Sequence, residues 1–520
     1  MSCSKLFSGD LPELTNEIIK NFQNDYSTLY SCVLVNRLWC RLAIPLLWEN
    51  PFSIPTRNYN FIEVYLYNLN DCLKSKLNEY HITDHYLLPS NTLFNYPSFI
   101  RYLSMCKIAS SIDRWLEAND IISKLNNRYS ESIFEFKRLV EMSLIKLFVE
   151  NEANLHTFEI KTETYYNKYC DNILESILQN PNFINKIGNL KISILCSNTS
   201  TNDRISQIIN SHQNLKRITL GCVGYDTLSF YQSLLLSKES NCSNTLNTII
   251  FYYIDLKGIS NLAKVFEKLN VLESLHIIYC SSLNNFTQQI INLTKPFKLK
   301  SLFINGNSQI DSLQSLLQKS GNYLENFGSG VTNYNQLSNQ QLLELIIKYC
   351  RNIKFLDLYY IETHITSLIG LIENIKQNLS HLSFSLWNYQ DSNIKLILQN
   401  LGQILPSKLE YLHLFLYIKS NDFEVFLKNS QDTFFKKLLI NNVTQGDSSD
   451  DILPYIKEYI MKKKRVKYLA IKNSFALSLR NGIDLFNLKD EVKEFRLHNI
   501  KVLRYNDLYT YIYNFANEND

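Results

Sequence analysis

The chain has 520 residues, 45% of them hydrophobic and 20% charged, the balance of a folded globular protein with a large core. A net charge of +4 gives no general attraction to nucleic acid or to an anionic membrane, so neither is expected as a partner. Eleven Cys with no Cys-x-x-Cys pair read as reduced thiols; without a ~20-residue apolar run, and with Asp10, Glu13 and Glu17 interrupting the N-terminus, the expected compartment is cytosol or nucleus.

Residues 1 to 10 are small and polar. From Leu11-Pro12-Glu13-Leu14 the chain places Ile18, Ile19 and Phe22 on one helical face. A polar break follows at Gln23-Asn24-Asp25, then a second apolar helix with Leu29, Cys32, Val33 and Val35. Asn36-Arg37-Leu38-Trp39-Cys40-Arg41-Leu42-Ala43 and Pro45-Leu46-Leu47-Trp48 close the stretch. Three short helices in about forty residues are expected, with a small exposed apolar surface. In order and spacing, Leu11-Pro12, Val35, Arg37-x-Trp39, Leu42-Ala43 and Trp48 resemble an F-box over residues 11 to 52. Val35 and Trp39 stand about one residue late, which a longer loop near Asp25-Tyr26-Ser27 absorbs, and Asn36 occupies a position where Cys is often found. The resemblance implies docking to the linker protein of an SCF-type cullin-RING ubiquitin ligase, with Leu11, Pro12, Ile18, Ile19, Leu29, Val35 and Trp39 making or supporting the contact. Anchors of that kind contribute ~2 to 4 kcal/mol each. Val33, Leu42 and Ala43 are expected inside.

Residues 53 to 150 read as a packed helical spacer, with helical spacing over 61–77, 98–105 and 131–149. Phe134, Leu139, Met142, Ile145 and Phe148 form the clearest stripe. The segment is not Gly/Ser-rich, so it is expected to fix a distance rather than to swing. His81-Ile82-Thr83-Asp84-His85 reads as an exposed loop or helix start, since a zinc site needs more ligands. No metal or cofactor is expected.

From residue 151 a frame of apolar-x-x-apolar-x-apolar recurs. It starts at Leu155, Ile187, Leu215, Leu246, Leu272, Leu299, Leu324, Ile353, Leu379, Leu409, Phe435, Val466 and Val492, about 28 residues apart on average. The last two apolar positions lie two residues apart and share one face of a short strand. Helical stripes fill the intervals, for example Leu262, Val265, Phe266 and Leu269, or Leu368, Leu371, Ile372 and Ile375. The period and frame resemble the leucine-rich repeat family over roughly residues 150 to 515. The expected fold is therefore an α/β solenoid: the F-box, the spacer, then a horseshoe of about thirteen strand-helix units over 151–507, closed by a capping helix and tail over 508–520. The family's Asn or Cys three residues after the frame is present at Cys280 and Asn307 but replaced by Val443, Ile361, Trp387 and Ile500, which implies irregular turns. The copy at Leu324, followed by Gly328-Ser329-Gly330, predicts a weak strand or a bulge.

The alternating strand residues face away from that core. Phe355, Asp357, Tyr359, His381, Tyr411, His413 and Phe415 give this face an aromatic character with scattered polar groups, the composition of an interface core. They are the candidate contacts for an unidentified protein substrate; the alternative is that strand residues are commonly aromatic and that other chain covers them. Lys462-Lys463-Lys464-Arg465 reads as the C-terminal turn of a helix, whose dipole favours cations, or as an import or phosphate-binding patch. No P-loop, nucleophile elbow, zincin helix or zinc-type Cys spacing occurs. The expected function is a non-catalytic adaptor that recruits substrate to the ligase. The alternatives are an interaction scaffold without ubiquitin output and, with only the absence of motifs to judge by, an enzyme.

Overall fold

The computed structural model describes residues 11–23, 25–54, 59–80, 92–121, 131–162, 167–194, 199–222, 241–257, 262–291, 293, 298–304, 310–329, 336–359, 365–385, 391–444, 451–475, 478–512 and 515. It is α/β, with mostly parallel strands separated by helices. The chain forms two compact units, one of Met1–Asn247 with Lys268–Val271, the other of Thr248–Glu267 with Leu272–Asp520. The candidate metal-like stretch at His81, Asp84 and His85 lies outside the described residues. Among the described residues no helix is long and apolar enough to cross a membrane.

The first unit opens with helices Pro12–Lys20, Tyr26–Val33 and Arg37–Leu47. Pro12 fits the first turn, where its missing N–H costs nothing. The Asp25 and Asn36 side chains cap the second and third helices, accepting from Thr28 N and Trp39 N. Trp48 follows the third helix and packs against Tyr65 and Tyr96, while Phe52 and Tyr65 meet Phe148. These rings join the three helices to Phe61–Tyr67 and Glu131–Glu150. Glu49, almost fully buried, accepts from Gln23 Nε2 at 2.8 Å, and its carbonyl accepts from Arg101 N at 3.0 Å. On the helix Glu131–Glu150, Phe136, Val140, Leu144 and Phe148 are buried and Phe134 is 41% exposed, so the buried stripe lies to one side of the expected one.

The stretch 98–105, expected as helix, contains β1 (Tyr102–Ser104), and the helix begins only at Met105. Four strands follow one another in parallel: β1, β2 (Thr157–Thr162), β3 (Asn189–Ile194) and β4 (Arg217–Cys222). The sheet therefore starts inside the segment read as a helical spacer.

In the second unit nine strands run parallel in chain order: β5 (Thr248–Tyr252), β6 (Ser274–Cys280), β7 (Lys298–Ile304), β8 (Asn326–Ser329), β9 (Phe355–Tyr359), β10 (His381–Ser385), β11 (Lys408–Leu416), β12 (Phe434–Thr444) and β13 (Val466–Phe475). Each begins within two residues of a frame start, β7, β11 and β12 one residue before it. The connecting helices bury apolar stripes such as Leu368, Leu371, Ile372 and Ile375, opposite strand residues such as Leu356, Leu358, Leu382 and Leu412. Beyond β13 the order breaks. β14 (Ser478–Asp484) pairs with β13 antiparallel, and the short β15 (Lys501–Val502) pairs with it in parallel. Val492, read as a thirteenth strand start, lies in the helix Lys489–Leu497: Val492 and Phe495 are three apart, a spacing that serves a helix face equally well.

The copy at Leu324 carries the weak strand that was one of its two expected forms, four residues long, and no bulge. β8 is short but pairs in register with both neighbours, Gly328 opposite Phe303 and Asp357. Its glycine is a packing device, since a Cβ there would sit 2.3 Å from the Phe303 ring. Register shifts lie instead between β6 and β7 and between β13 and β14. At β12 Val443 holds the position expected for Asn, and Asn442 does the corresponding work: its Oδ1 accepts from Ile418 N at 2.9 Å.

Candidate functional site

The N-terminal helices divide the seven residues of the first candidate site. Ile19, Leu29 and Trp39 form the interior with Cys32 and Ala43, and Phe22, Val33, Leu42, Leu46 and Leu47 pack against them. Trp39 is only 7% exposed, so it holds the three helices together and offers no contact surface. Leu11 and Ile18 are half-buried, and Pro12 and Val35 are exposed. Exposed apolar side chains that the sequence reading passed over are Leu14, Tyr30 and Leu34, the last 73% exposed. Leu34 follows directly on a helix of eight residues, where a continued helical stripe would have signalled a buried side chain.

The second site is the strand face turned away from the helices. Register aligns two rows across it. One runs His276, Ser301, Asn326, Phe355, His381, Tyr411, Lys437 and Tyr468, and the other Ile278, Phe303, Gly328, Asp357, Ser383, His413, Leu439 and Ala470. The candidate residues Phe355, Asp357, His381, Tyr411 and His413 are thus brought together; Phe415 is partly buried one step further on, and the Tyr359 side chain lies outside the described residues.

This face is not open. After β15 the chain turns into the short helix Tyr505–Leu508 and then runs back across the strands. Tyr505 and Leu508 pack on Tyr411, Leu439 and Ala470. Further along, Ile512 and Phe515 pack on Ile250, Ile278, Phe303 and Phe355. Phe515 lies 4.6 Å from the Phe355 ring and 4.9 Å from His381, and Tyr509 meets His413 edge-on at 5.2 Å. Tyr411 Oη accepts from Thr510 N at 3.2 Å. Asp484 fixes the root of this strap by accepting from Tyr505 N at 2.9 Å. The C-terminal residues, expected to cap the end of the array, therefore cover its candidate binding face.

Beneath the strap a polar chain crosses three strands. The Asp357 carboxylate accepts from the Ser383 hydroxyl, Ser383 Oγ lies 2.9 Å from His413 Nδ1, and His413 Nε2 lies 2.5 Å from Tyr505 Oη. With Ser383 donating to the carboxylate, His413 donates from Nδ1 and accepts the phenol proton at Nε2. Burial pushes the His413 pKa down to about 3 and that of His381 to about 4. Burial also raises Asp357 to about 6, against the Ser383 hydrogen bond. An imidazole whose pKa burial has lowered to about 3 is a weak base, Ser383 and His413 are both nearly inaccessible, and the contact with Tyr505 ties this chain to the strap. Buried thiols do not supply an alternative: burial raises Cys170, Cys280 and Cys350 to about 12. Among the described residues no group of three or more His, Cys, Asp or Glu is placed to hold a metal ion.

The basic run resolves into two kinds of residue. Lys462, Lys463 and Lys464 are exposed, whereas Arg465 is 5% exposed. Its guanidinium donates to the carbonyls of Thr433, Leu427, Ser430 and Tyr459.

Compared with models of protein families and with curated proteins, the sequence matches no family model and no curated protein.

Proposed function

We propose that the chain is a non-catalytic, substrate-recruiting adaptor of an SCF-type cullin-RING ubiquitin ligase. On this reading residues 11 to 52 are an F-box that docks the linker protein and, through it, the cullin, and the strand-helix units form a leucine-rich-repeat solenoid whose strand face receives a protein substrate once the strap leaves it. Catalysis is by proximity, since a separately bound conjugating enzyme performs the transfer. The observation that carries the reading is the division of labour in the first three helices: Trp39 closes a small interior while Leu14, Tyr30, Leu34 and Val35 remain exposed. A three-helix segment that leaves this much apolar side chain in water is built to be covered. The ring cluster around Trp48, Tyr65 and Phe148 supports a spacer that transmits the position of the docking end. The scaffold reading, without ubiquitin output, draws support from the strap, which already occupies the face a substrate would need.

The test is capture of the linker protein by the intact chain beside the double variant Leu34→Glu with Val35→Glu. Both side chains are exposed, so folding is retained, and at anchors worth ~2 kcal/mol or more capture falls at least thirtyfold. Equal capture by the two, or none by the intact chain, overturns the adaptor reading.

A further inference from the structure

Asp357 stands apart from everything around it. It lies on the strand face among Phe303, Phe355, His381, Ser383, Tyr411 and His413, with Ile512 and Phe515 overlying. Among the described residues it forms no ion pair, and its one hydrogen-bond donor is the Ser383 hydroxyl. The carboxylate is felt by the phenols of Tyr279 and Tyr411 from the strands and of Tyr509 from the strap, all neutral at pH 7, and among the described residues no lysine or arginine bears on it. The strap supplies no cation either. From Tyr505 to Phe515 it reads Tyr-Asn-Asp-Leu-Tyr-Thr-Tyr-Ile-Tyr-Asn-Phe, matching the apolar character of the face but leaving its charge uncompensated. Asp357 as a residue is partly rather than fully buried under the cover.

We infer that the strap Tyr505–Phe515 is an autoinhibitory occupant of the strand face, and that the segment which replaces it is an extended, aromatic-rich peptide carrying an arginine or lysine that pairs with Asp357. The inference rests on the reading that this face receives a protein partner, and it names that partner's chemistry. The strap shows what backbone and side chains the face takes: a phenol on His413 Nε2, a backbone N–H on Tyr411 Oη, and apolar groups against Phe303 and Phe355. A guanidinium or ammonium among those groups adds a charge-assisted bond in a water-poor site, where such bonds are strongest. Intramolecular tethering gives the strap a high effective concentration, so the competitor needs an interaction that the strap lacks.

Two labelled 11-residue peptides test this, one with the sequence of residues 505–515 and one with arginine in place of its Tyr509 equivalent, the strap residue that feels the Asp357 charge. Each is titrated into the chain ending at Arg504, into the same chain carrying Asp357→Asn, and into the intact chain. The shortened chain is expected to bind the strap peptide, to bind the arginine peptide at least tenfold more tightly, and to lose that preference with Asp357→Asn; the intact chain binds both more weakly. Failure of the shortened chain to bind either peptide, or equal affinity for both, overturns the inference. Should the shortened chain not fold, hydrogen exchange of β9 and β10 in the intact chain replaces it: deprotection caused by the arginine peptide and not by the strap peptide supports the inference, and the same exchange with both overturns it. None of these outcomes involves the linker protein, so failure here is distinct from failure of the adaptor reading.

Discussion

Arg465 ends a run of four cations that look alike in the sequence, and only one of them is buried. Its five N–H groups go to carbonyls at Leu427, Ser430, Thr433 and Tyr459 and to Ser430 Oγ. The first two carbonyls lie at the C-terminal end of the helix Ser420–Asn429, where unpaired oxygens and the helix dipole both favour a cation. The expectation of a helix-end role thus describes Arg465, which serves mainly the end of the helix Ser420–Asn429 that precedes β12. Burial lowers its pKa to about 10, opposed by Asp432, which leaves it charged at pH 7. Arg465→Met keeps the stem and removes the donors, leaving several buried carbonyls unpaired, so a loss of about 2 to 4 kcal/mol is expected. The denaturant midpoint of the purified variant checks this. An unchanged midpoint would mean that water satisfies those carbonyls.

At the scale of the element, the strands were legible because a two-residue alternation of large apolar side chains has few other uses, and β2 to β13 each begin within two residues of a frame start. What failed was whatever the frame shares with other structures. Val492 and Phe495 fit a helix as well as a strand. β1 is three residues long, too short for any periodicity. The strap was the largest miss: Leu508, Tyr511, Ile512 and Phe515 have the spacing of a closing helix, and the destination of the segment depends on contacts about a hundred residues away, as between Tyr411 and Thr510. One signal was available, because Ile250, Ile278, Phe303 and Leu439 make the supposed open face as apolar as a core. Gly328 on β8 was read as weakness where the structure has a close fit. Its missing Cβ makes room for the Phe303 ring, which also meets Tyr279 and Phe355 at 6.0 Å. Gly328→Ala is expected to cost about 1 to 3 kcal/mol by overpacking, and Phe303→Leu in the same chain to recover part of it. A double-mutant cycle on thermal unfolding reads the coupling; additive losses would show that the ring does not enforce the glycine.

Across the whole molecule, each compact unit carries imidazoles that are neutral because they are buried. Burial takes His212 in the first unit to about 4, and His381 and His413 in the second to about 4 and about 3. For His381, Glu410 raises the value while Lys437 and Lys436 lower it further. A histidine whose folded pKa is depressed stabilises the fold above its unfolded value near 6.5, and that contribution is lost as pH falls from 6.5 toward the folded value. Asp357 acts in the opposite sense. Raised from 3.8 to about 6, it contributes fully below 3.8, and its contribution is lost as pH rises through about 6. Between pH 7 and pH 5 the three histidines cost on the order of 2 kcal/mol each, and Asp357 returns on the order of 1 kcal/mol. Histidine therefore wins, and the midpoint of thermal unfolding is expected to drop on acidification over that interval. Asp357→Asn separates the two contributions. It removes a buried charge at pH 7, so the midpoint there rises; it also removes the group that offsets the histidines, so the fall toward pH 5 becomes steeper. A variant with the same slope as the parent would mean that Asp357 is already solvated, and that the strap leaves it open to water rather than holding it for a cation.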